Sequence, residues 1–129
     1  MTSRIVIICS YKRFQTLSKE IERKTAKLFK LVNQRNSCLE IYLVGKAFMD
    51  KNVLAFPASK NFPRPDKKGK FLGEIYLNPD YIKKHNEDIF FMLCHGFLHL
   101  LGYEHKKKDD RIKMEKKERE LLRKLTTGN

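Results

Sequence analysis

Three histidines within eleven consecutive residues are the part of the sequence best suited to chemistry. His95 and His99 are four residues apart, so in a helix both imidazoles lie on one face and can reach a single metal ion. Gly102 can end that helix with a positive φ, which would turn the chain back and bring His105 to the same ion. Three neutral imidazoles with an open fourth position form the ligand set of a catalytic zinc site. We therefore predict one Zn2+ per chain, with these histidines acting through the metal.

Two other interpretations of the histidines stay open at this level. The three could be unrelated, or they could belong to a closed structural zinc site, which normally takes a fourth protein ligand such as cysteine. Cys94 adjoins His95 but lies about 100° round the helix and would point elsewhere. Cys9 or Cys38 could close the site only if the fold brought one of them there. Three cysteines cannot all pair, and we expect reduced thiols inside the protein.

The spacing H-x-x-x-H-x-x-G-x-x-H is also that of the metzincin metalloproteases. Those enzymes place a glutamate directly after the first histidine as general base, whereas this sequence has Gly96. A peptidase would therefore lack its proton shuttle. Because glycine inside a helix costs roughly 1 kcal/mol relative to alanine, we expect Gly96 to allow a close approach of backbone or substrate.

The net charge indicates the kind of partner. The 129 residues include 28 Lys and Arg against 15 Asp and Glu, a formal charge of +13. This surplus suits a polyanion, although an acidic membrane surface or an acidic protein would also satisfy it. Residues 1–40 carry +6 and residues 106–129 carry +5, while residues 41–105 carry only +2. We expect the basic ends to hold the polyanion and the middle to hold the chemistry.

Hydropathy argues against a membrane protein. The longest apolar stretch, Ile89 to Leu101, is interrupted by His and Gly and is too short to span a bilayer. Arg4 is the only cation before the first apolar run, and no small-residue cleavage site follows that run. We therefore expect no secretory signal and a cytoplasmic location.

The periodicity of apolar residues predicts the elements that must position the histidines. Strands are predicted at Arg4–Ser10, Ser37–Val44, Val53–Phe56 and Leu72–Leu77. Helices are predicted at Leu17–Val32, at Glu87–Leu101 with Asn86 as N-cap, and from Asp109 or Asp110 to Leu125. The last helix has sparse apolar positions and is expected at the surface. The order predicts a single α+β domain over residues 1–129, a small mixed β-sheet packed with helices, and the metal site at the end of a central helix.

Three segments together resemble one known family. HGFLHLLGYEH, residues 95–105, resembles the H-G-x-L-H-L-x-G-Y-D-H signature of the YbeY family, the bacterial rRNA maturation factors and single-strand-specific endoribonucleases, with Glu104 in place of the usual Asp. NVLAFP at 52–57 resembles [DN]-V-L-S-F-P, and LGEI at 72–75 resembles L-G-D-I. The last helix, with Met114, Glu115, Glu118, Leu121 and Leu122, is also similar to the family's closing helix.

The resemblance implies a zinc-type metal on the three histidines and hydrolysis of single-stranded RNA. It further implies a role in 3′-end maturation of small-subunit rRNA and in ribosome quality control, with the small subunit as partner. The metal would polarise a phosphoryl oxygen and lower the pKa of its bound water towards about 7, so that hydroxide attacks the phosphodiester. Glu104 could orient a ligand as a hydrogen-bond acceptor. Stacking surfaces for single-stranded RNA could come from Phe56, Phe62, Phe71, Phe97 and Tyr103.

One segment departs from the family pattern. The family has L-N-x-x-[YF]-R-G before its V-L-S-F block, and this arginine is implicated in activity, but KAFMDK at residues 46–51 contains no arginine. Lys46, Lys51 and Arg64 are the candidate substitutes as phosphate contacts. Three functions remain: a metal-dependent endoribonuclease, a ribosome-assembly factor that binds rRNA with little or no cleavage, and, disfavoured by Gly96, a zinc peptidase.

Overall fold

The computed structural model describes residues 3–58 and 70–126, and within these ranges four strands and four helices are present. The strands are β1 (Arg4–Cys9), β2 (Ser37–Leu43), β3 (Val53–Pro57) and β4 (Lys70–Leu77). The helices are α1 (Gln15–Leu31), α2 (Pro79–Lys84), α3 (Ile89–Leu100) and α4 (Lys108–Thr126), and a 3-10 turn at Lys12–Phe14 precedes α1. None of these helices is long and apolar enough to cross a bilayer.

The four strands form one mixed sheet in the order β1-β2-β4-β3. The β1–β2 and β2–β4 pairs are parallel, and β3 runs antiparallel to β4 at the edge. The first parallel pair needs a crossover, which α1 supplies. This arrangement confirms the predicted α+β class with a mixed sheet and packed helices.

The core lies between one face of the sheet and the helices. Leu39, Ile41 and Leu43 alternate along β2, as predicted, and all three are fully buried. Ile21 and Leu28 of α1 are fully buried in the same core, and Asn33 takes the left-handed φ of 58° just after the helix. The apolar residues that repeat every second position in β2 and every third or fourth position in α1 therefore pack into a single core.

The segment before α3 corrects two predictions. Helix α3 begins at Ile89, and its N-cap is Asp88, whose side chain accepts from the Phe90 N–H at 2.8 Å. Asn86 is not the cap, because its φ of 56° puts it in the turn that follows α2. Helix α2 is absent from the predicted elements, because an Asn-Pro pair is typical of a turn. In the structure Asn78 accepts from the Tyr81 N–H at 3.1 Å as an N-cap, with proline in the first turn.

Helix α4 lies at the surface, as predicted, and buries one narrow face. It packs against α3 and α1, and it begins at Lys108, with Asp109 and Asp110 in its first turn. Four of its side chains are 1–3% exposed and follow one another at helical spacing: Met114, Glu118, Leu121 and Leu125. Because this buried stripe is narrow and includes an acid, the sparse apolar residues predict the surface position of the helix but not all of the residues that dock it.

A bulge in β4 sets the position of the edge strand. The register with β2 shifts between Cys38 and Leu39, opposite Phe71 and Gly73, and Gly73 has a φ of +138°. A Cβ on Gly73 would lie 2.3 Å from the Phe56 carbonyl oxygen of β3. Only glycine permits both this backbone angle and this approach. Gly73 of the LGEI segment therefore allows β3 to lie close to β4 and beside the end of α3.

Candidate metal centre

Helix α3 carries two of the three histidines close to the sheet because Gly96 lets it approach. A Cβ on Gly96 would lie 3.1 Å from Cγ2 of Ile75 and 3.3 Å from Cγ2 of Val53. The predicted close approach at this glycine is therefore one of helix to sheet. The space that a side chain directly after His95 would occupy is taken by Ile75 and Val53, so this position provides no carboxylate.

Gly102 turns the chain back at the end of α3. Its φ is +100°, and the Tyr103 N–H donates to the Leu98 carbonyl at 3.0 Å across the helix end. The reversal brings the exposed His105 to the other two rings. The ring centroids are 4.6 Å apart for His95–His99, 5.0 Å for His99–His105 and 5.8 Å for His95–His105.

One ligand atom from each histidine can converge on a common point. These atoms all lie within 4.8 Å of one another, and Nε2 of His95 is 3.1 Å from Nε2 of His99. Two nitrogens bound to one tetrahedral zinc would be roughly 3.3–3.4 Å apart, from Zn–N bonds of about 2.0–2.1 Å. The spacing fits a metal site at the end of the central helix, and within the described residues no cysteine joins the group.

The opposite ring nitrogens of His95 and His99 face hydrogen-bond acceptors. Nδ1 of His99 lies 3.1 Å from the Tyr103 carbonyl oxygen, and Nδ1 of His95 contacts a carboxylate oxygen of Glu118 on α4. A carbonyl oxygen only accepts, so Nδ1 of His99 carries the proton and its Nε2 presents a lone pair. The same assignment for His95 leaves two Nε2 lone pairs facing one point.

Burial keeps His99 neutral. Desolvation of its ring, followed by the proximity of His95 and His105, lowers the pKa of His99 below its ordinary value of 6.5. At neutral pH the ring is therefore uncharged, which is the form that a metal ligand requires.

The three histidines open into a cleft of about 430 Å³. One wall is β3, through Val53, Leu54, Ala55 and Pro57, and the other is the end of α3 with the loop after it, including Tyr103 and Glu104. A second cavity of about 360 Å³ lies on the α4 side, lined by His95, His105, Arg111, Met114, Glu115 and Glu118. Because both cavities share His95 and His105, the histidine group lies between them.

The candidate phosphate contacts Lys46 and Lys51 do not line the histidine cleft. Lys46 lines a separate cavity of about 110 Å³ near α2, and neither it nor Lys51 lines the cleft. Arg64 lies outside the described residues, as does Phe62. The roles of these three cations therefore stay predictions. Sequence reasoning missed Arg111, although its place six residues after His105 at the start of a helix was a usable signal.

The aromatic residues that were candidates for stacking on RNA bases lie in different environments. Phe97 is fully buried in the core, and the half-exposed Phe56 lies edge-on to Tyr76 at a centroid distance of 5.6 Å. Among the aromatic candidates in the described ranges, Tyr103 lines the cleft. Glu104 lines it as well but is exposed, and the acceptors on the His95 and His99 rings are instead Glu118 and the Tyr103 carbonyl.

The sheet face opposite the helices carries a pair of stacked tyrosines. Tyr42 and Tyr76 lie 4.6 Å apart with ring planes 10° from parallel, and their hydroxyls donate to Glu40 and Glu74, each at 3.1 Å. Burial, and then the hydrogen bond to Glu40, raise the pKa of Tyr42 to about 12. Neither tyrosine lines the cleft.

Comparison with known proteins gives consistent matches. The family model for Endoribonuclease YbeY matches residues 7–126. Among curated relatives, Endoribonuclease YbeY of Wolbachia sp. subsp. Drosophila simulans is 41% identical over 87 residues, covering 60% of this chain and 55% of its own length. Endoribonuclease YbeY of Bartonella bacilliformis is 38% identical over 88 residues, covering 60% and 54%. The chain thus spans about half the length of the curated relatives that it matches.

A solved structure matches the fold. The solution structure of a Thermotoga maritima protein superposes with a TM-score of 0.61 at 22% identity, covering 94% of this chain and 88% of that one. The likeness therefore extends over the sheet and the helices that hold the three histidines.

Proposed function

Because this chain belongs to the YbeY family, we propose that it is a metal-dependent endoribonuclease that processes ribosomal RNA. The observation that carries the proposal is the convergence of His95, His99 and His105 between two cavities, with the Nε2 lone pairs of His95 and His99 directed at one point. We further propose zinc as the ion, since three neutral imidazoles suit it.

The metal and the protein would have different roles in cleavage of the phosphodiester. When bound, the ion supplies Lewis-acid polarisation of the phosphate and activation of water. The histidines hold it, and the walls formed by β3 and by the loop after α3 confine the reacting segment of RNA. Tyr103 offers a ring in the cleft for an unpaired base, which supports a single-stranded substrate.

Cations at the start of α4 support RNA as the substrate. Lys106, Lys107 and Lys108 follow His105 directly, and Arg111 lines the cavity that shares His95 and His105. Arg111 has no ion-pair partner among the described residues, so its guanidinium is available for a phosphate. We propose Arg111 as the phosphate contact nearest to the metal. We keep Lys46, Lys51 and Arg64 as candidate contacts farther along the RNA.

The wider role is proposed on the family relationship. We propose that the substrate is the 3′ region of small-subunit rRNA, that the small ribosomal subunit is the partner, and that the protein acts in the cytoplasm. A second candidate is a ribosome-assembly factor with little or no cleavage of its own. The lack of an arginine in residues 46–51 favours this alternative. Gly96 and its contact with Ile75 argue against a zinc peptidase.

The test combines metal content with cleavage. Wild type, His99→Ala and the control His85→Ala are purified, their metal is measured, and each is incubated with single-stranded rRNA fragments and with an unstructured peptide. His85 is exposed, stacks on Tyr81 and lies outside the group of His95, His99 and His105. Its substitution should therefore leave the metal content and RNA cleavage unchanged. The proposal expects about one metal per chain and RNA cleavage in wild type and His85→Ala, with both lost in His99→Ala.

Other outcomes select the alternatives. Tight RNA binding without cleavage by metal-loaded wild type would select the assembly factor, and peptide cleavage alone would select the peptidase. Full metal retention in His99→Ala would overturn the three-histidine site.

A further inference from the structure

We propose that Glu118 is a positioning residue of the metal site: its carboxylate holds the His95 ring for the ion, so that docking of α4 and metal binding reinforce each other. This inference rests on the proposed metal-dependent function and adds a residue 23 positions along the chain from the ligand that it orients.

The burial of Glu118 is the first argument. Its side chain is 3% exposed and lies in the stripe that docks α4, between Met114 and Leu121, each 1% exposed. A carboxylate in such a place is costly unless it is paired and hydrogen-bonded. An apolar side chain would complete the stripe at less cost, so a partner must account for the acid.

His95 is that partner. A carboxylate oxygen of Glu118 contacts Nδ1 of His95, and Nε2 of the same ring points towards His99. The contact keeps the proton on Nδ1, leaves the Nε2 lone pair for the ion, and fixes the rotation of the ring. Ligating histidines commonly donate their second N–H in this way to a carboxylate, which also makes the ligand nitrogen more basic.

The three ligands are supported unequally. His99 is held by the Tyr103 carbonyl, a backbone group of the loop that follows α3. His105 is exposed and has no hydrogen-bond partner among the described residues. Glu118 is thus the side chain through which a separate element, α4, reaches the metal centre.

The charge on the carboxylate links metal binding to the docking of α4. A cation on Nε2 makes the Nδ1 proton a stronger donor, so the buried anion gains more from its contact when the metal is bound. Coupling of this kind is reciprocal: if the docked helix favours metal binding, the metal favours the docked helix by the same factor.

The experiment compares two isosteric substitutions on α4. Glu118→Gln keeps the shape and removes the charge. The control Glu120→Gln removes an acid that pairs with Lys117 and Lys124 on the exposed side of the same helix. The zinc Kd of each variant is measured by competition with a chromophoric chelator, and the Co2+ absorption spectrum is recorded. We expect roughly 10–100-fold weaker zinc binding and an altered Co2+ spectrum for Glu118→Gln, and a Kd within about twofold of wild type for Glu120→Gln.

Glu118→Met protects the test against loss of folding. Methionine completes the apolar stripe, so the metal-free variant should melt at or above the wild-type temperature while its zinc Kd is weakened as in Glu118→Gln. A purely structural role predicts the opposite, namely a lowered melting temperature without metal and an unchanged Kd. An unchanged Kd in both variants would overturn this inference while the wild type still binds metal and cleaves RNA. If wild type binds no metal, the proposed function fails as well.

Discussion

His95 and His99 face each other through their Nε2 atoms at 3.1 Å, while the Nδ1 atom of each ring has an acceptor elsewhere. With both Nδ1 protons on these acceptors, the two Nε2 lone pairs are directed at one point, which is the arrangement that a bound cation requires. The folded protein therefore presents a position prepared for a positive ion.

Metal removal is the first prediction. Stripping divalent metal with a chelator should lower the melting temperature by several degrees, and added Zn2+ should restore it. At a free metal concentration of 100 times Kd, binding to the folded state adds about 2.7 kcal/mol to the free energy of unfolding. His99→Ala should melt at the same temperature with and without zinc. Equal melting temperatures for wild type in both conditions would contradict the prediction.

Arg111 should matter for RNA more than a comparable arginine elsewhere on α4. Arg111→Gln should weaken binding of single-stranded RNA roughly 10-fold, about 1.4 kcal/mol, and leave the zinc Kd unchanged. The exposed Arg119 on the same helix supplies the control, Arg119→Gln. Affinity is measured by fluorescence anisotropy over a range of salt concentrations, where wild type should weaken steeply and Arg111→Gln less steeply. Matching losses in the two variants would mean that only the overall charge counts.

Two glycines with positive φ should differ in their tolerance of alanine. Gly73→Ala combines backbone strain with a Cβ 2.3 Å from the Phe56 carbonyl oxygen, whereas a Cβ on Gly102 meets nothing within 4 Å. We expect Gly73→Ala to lower the free energy of unfolding by more than about 2 kcal/mol, and Gly102→Ala to lower it by about 1 kcal/mol. Urea unfolding measures both values. A smaller loss for Gly73→Ala than for Gly102→Ala would contradict the described bulge.

Tyr42 should titrate far above an ordinary phenol. Its pKa is about 12 in the folded protein against 10.0 for the free side chain, mainly because of burial and then the hydrogen bond to Glu40. The folded state therefore holds this proton more tightly, so the associated stability is complete below about pH 10 and is lost as the pH rises from there through about 12. Ultraviolet titration of wild type and Tyr42→Phe gives the contribution of this residue as their difference. A difference spectrum with a midpoint near the free-side-chain value would contradict the prediction.

The sequence was sufficient to predict that the three histidines meet, but not to predict the groups that contact their rings. His95, His99 and His105 could be predicted to meet because their contact depends on one helical turn and one glycine, both local properties. Glu118 could not, because in a helix rich in Lys and Glu an acid is normally solvated, and only tertiary packing of α4 shows that it lies in the buried stripe. An acid at the spacing of that stripe was the signal available.

The same distinction between local pattern and tertiary packing explains what the sequence did and did not predict about the fold. The strands were predicted well because β1 contains a run of β-branched residues and β2 alternates Leu39, Ile41 and Leu43, whereas α2 was missed because an Asn-Pro pair suits a turn and a helix start equally. The surface position of α4 was predicted correctly, but its buried face was not, because a narrow stripe that includes one acid contains too few apolar residues to be recognised.

The reversal at Gly102 has a consequence for the stability of the proposed metal site. All three imidazoles come from residues 95–105, and the entropy of closing so short a loop is small. The walls of the cleft, in contrast, are β3 and the end of α3 with the loop after it, which meet only through tertiary packing. Ion retention and a formed cleft are therefore separable properties: under our proposal, displacement of β3 while α4 stays docked should abolish RNA cleavage before the zinc leaves.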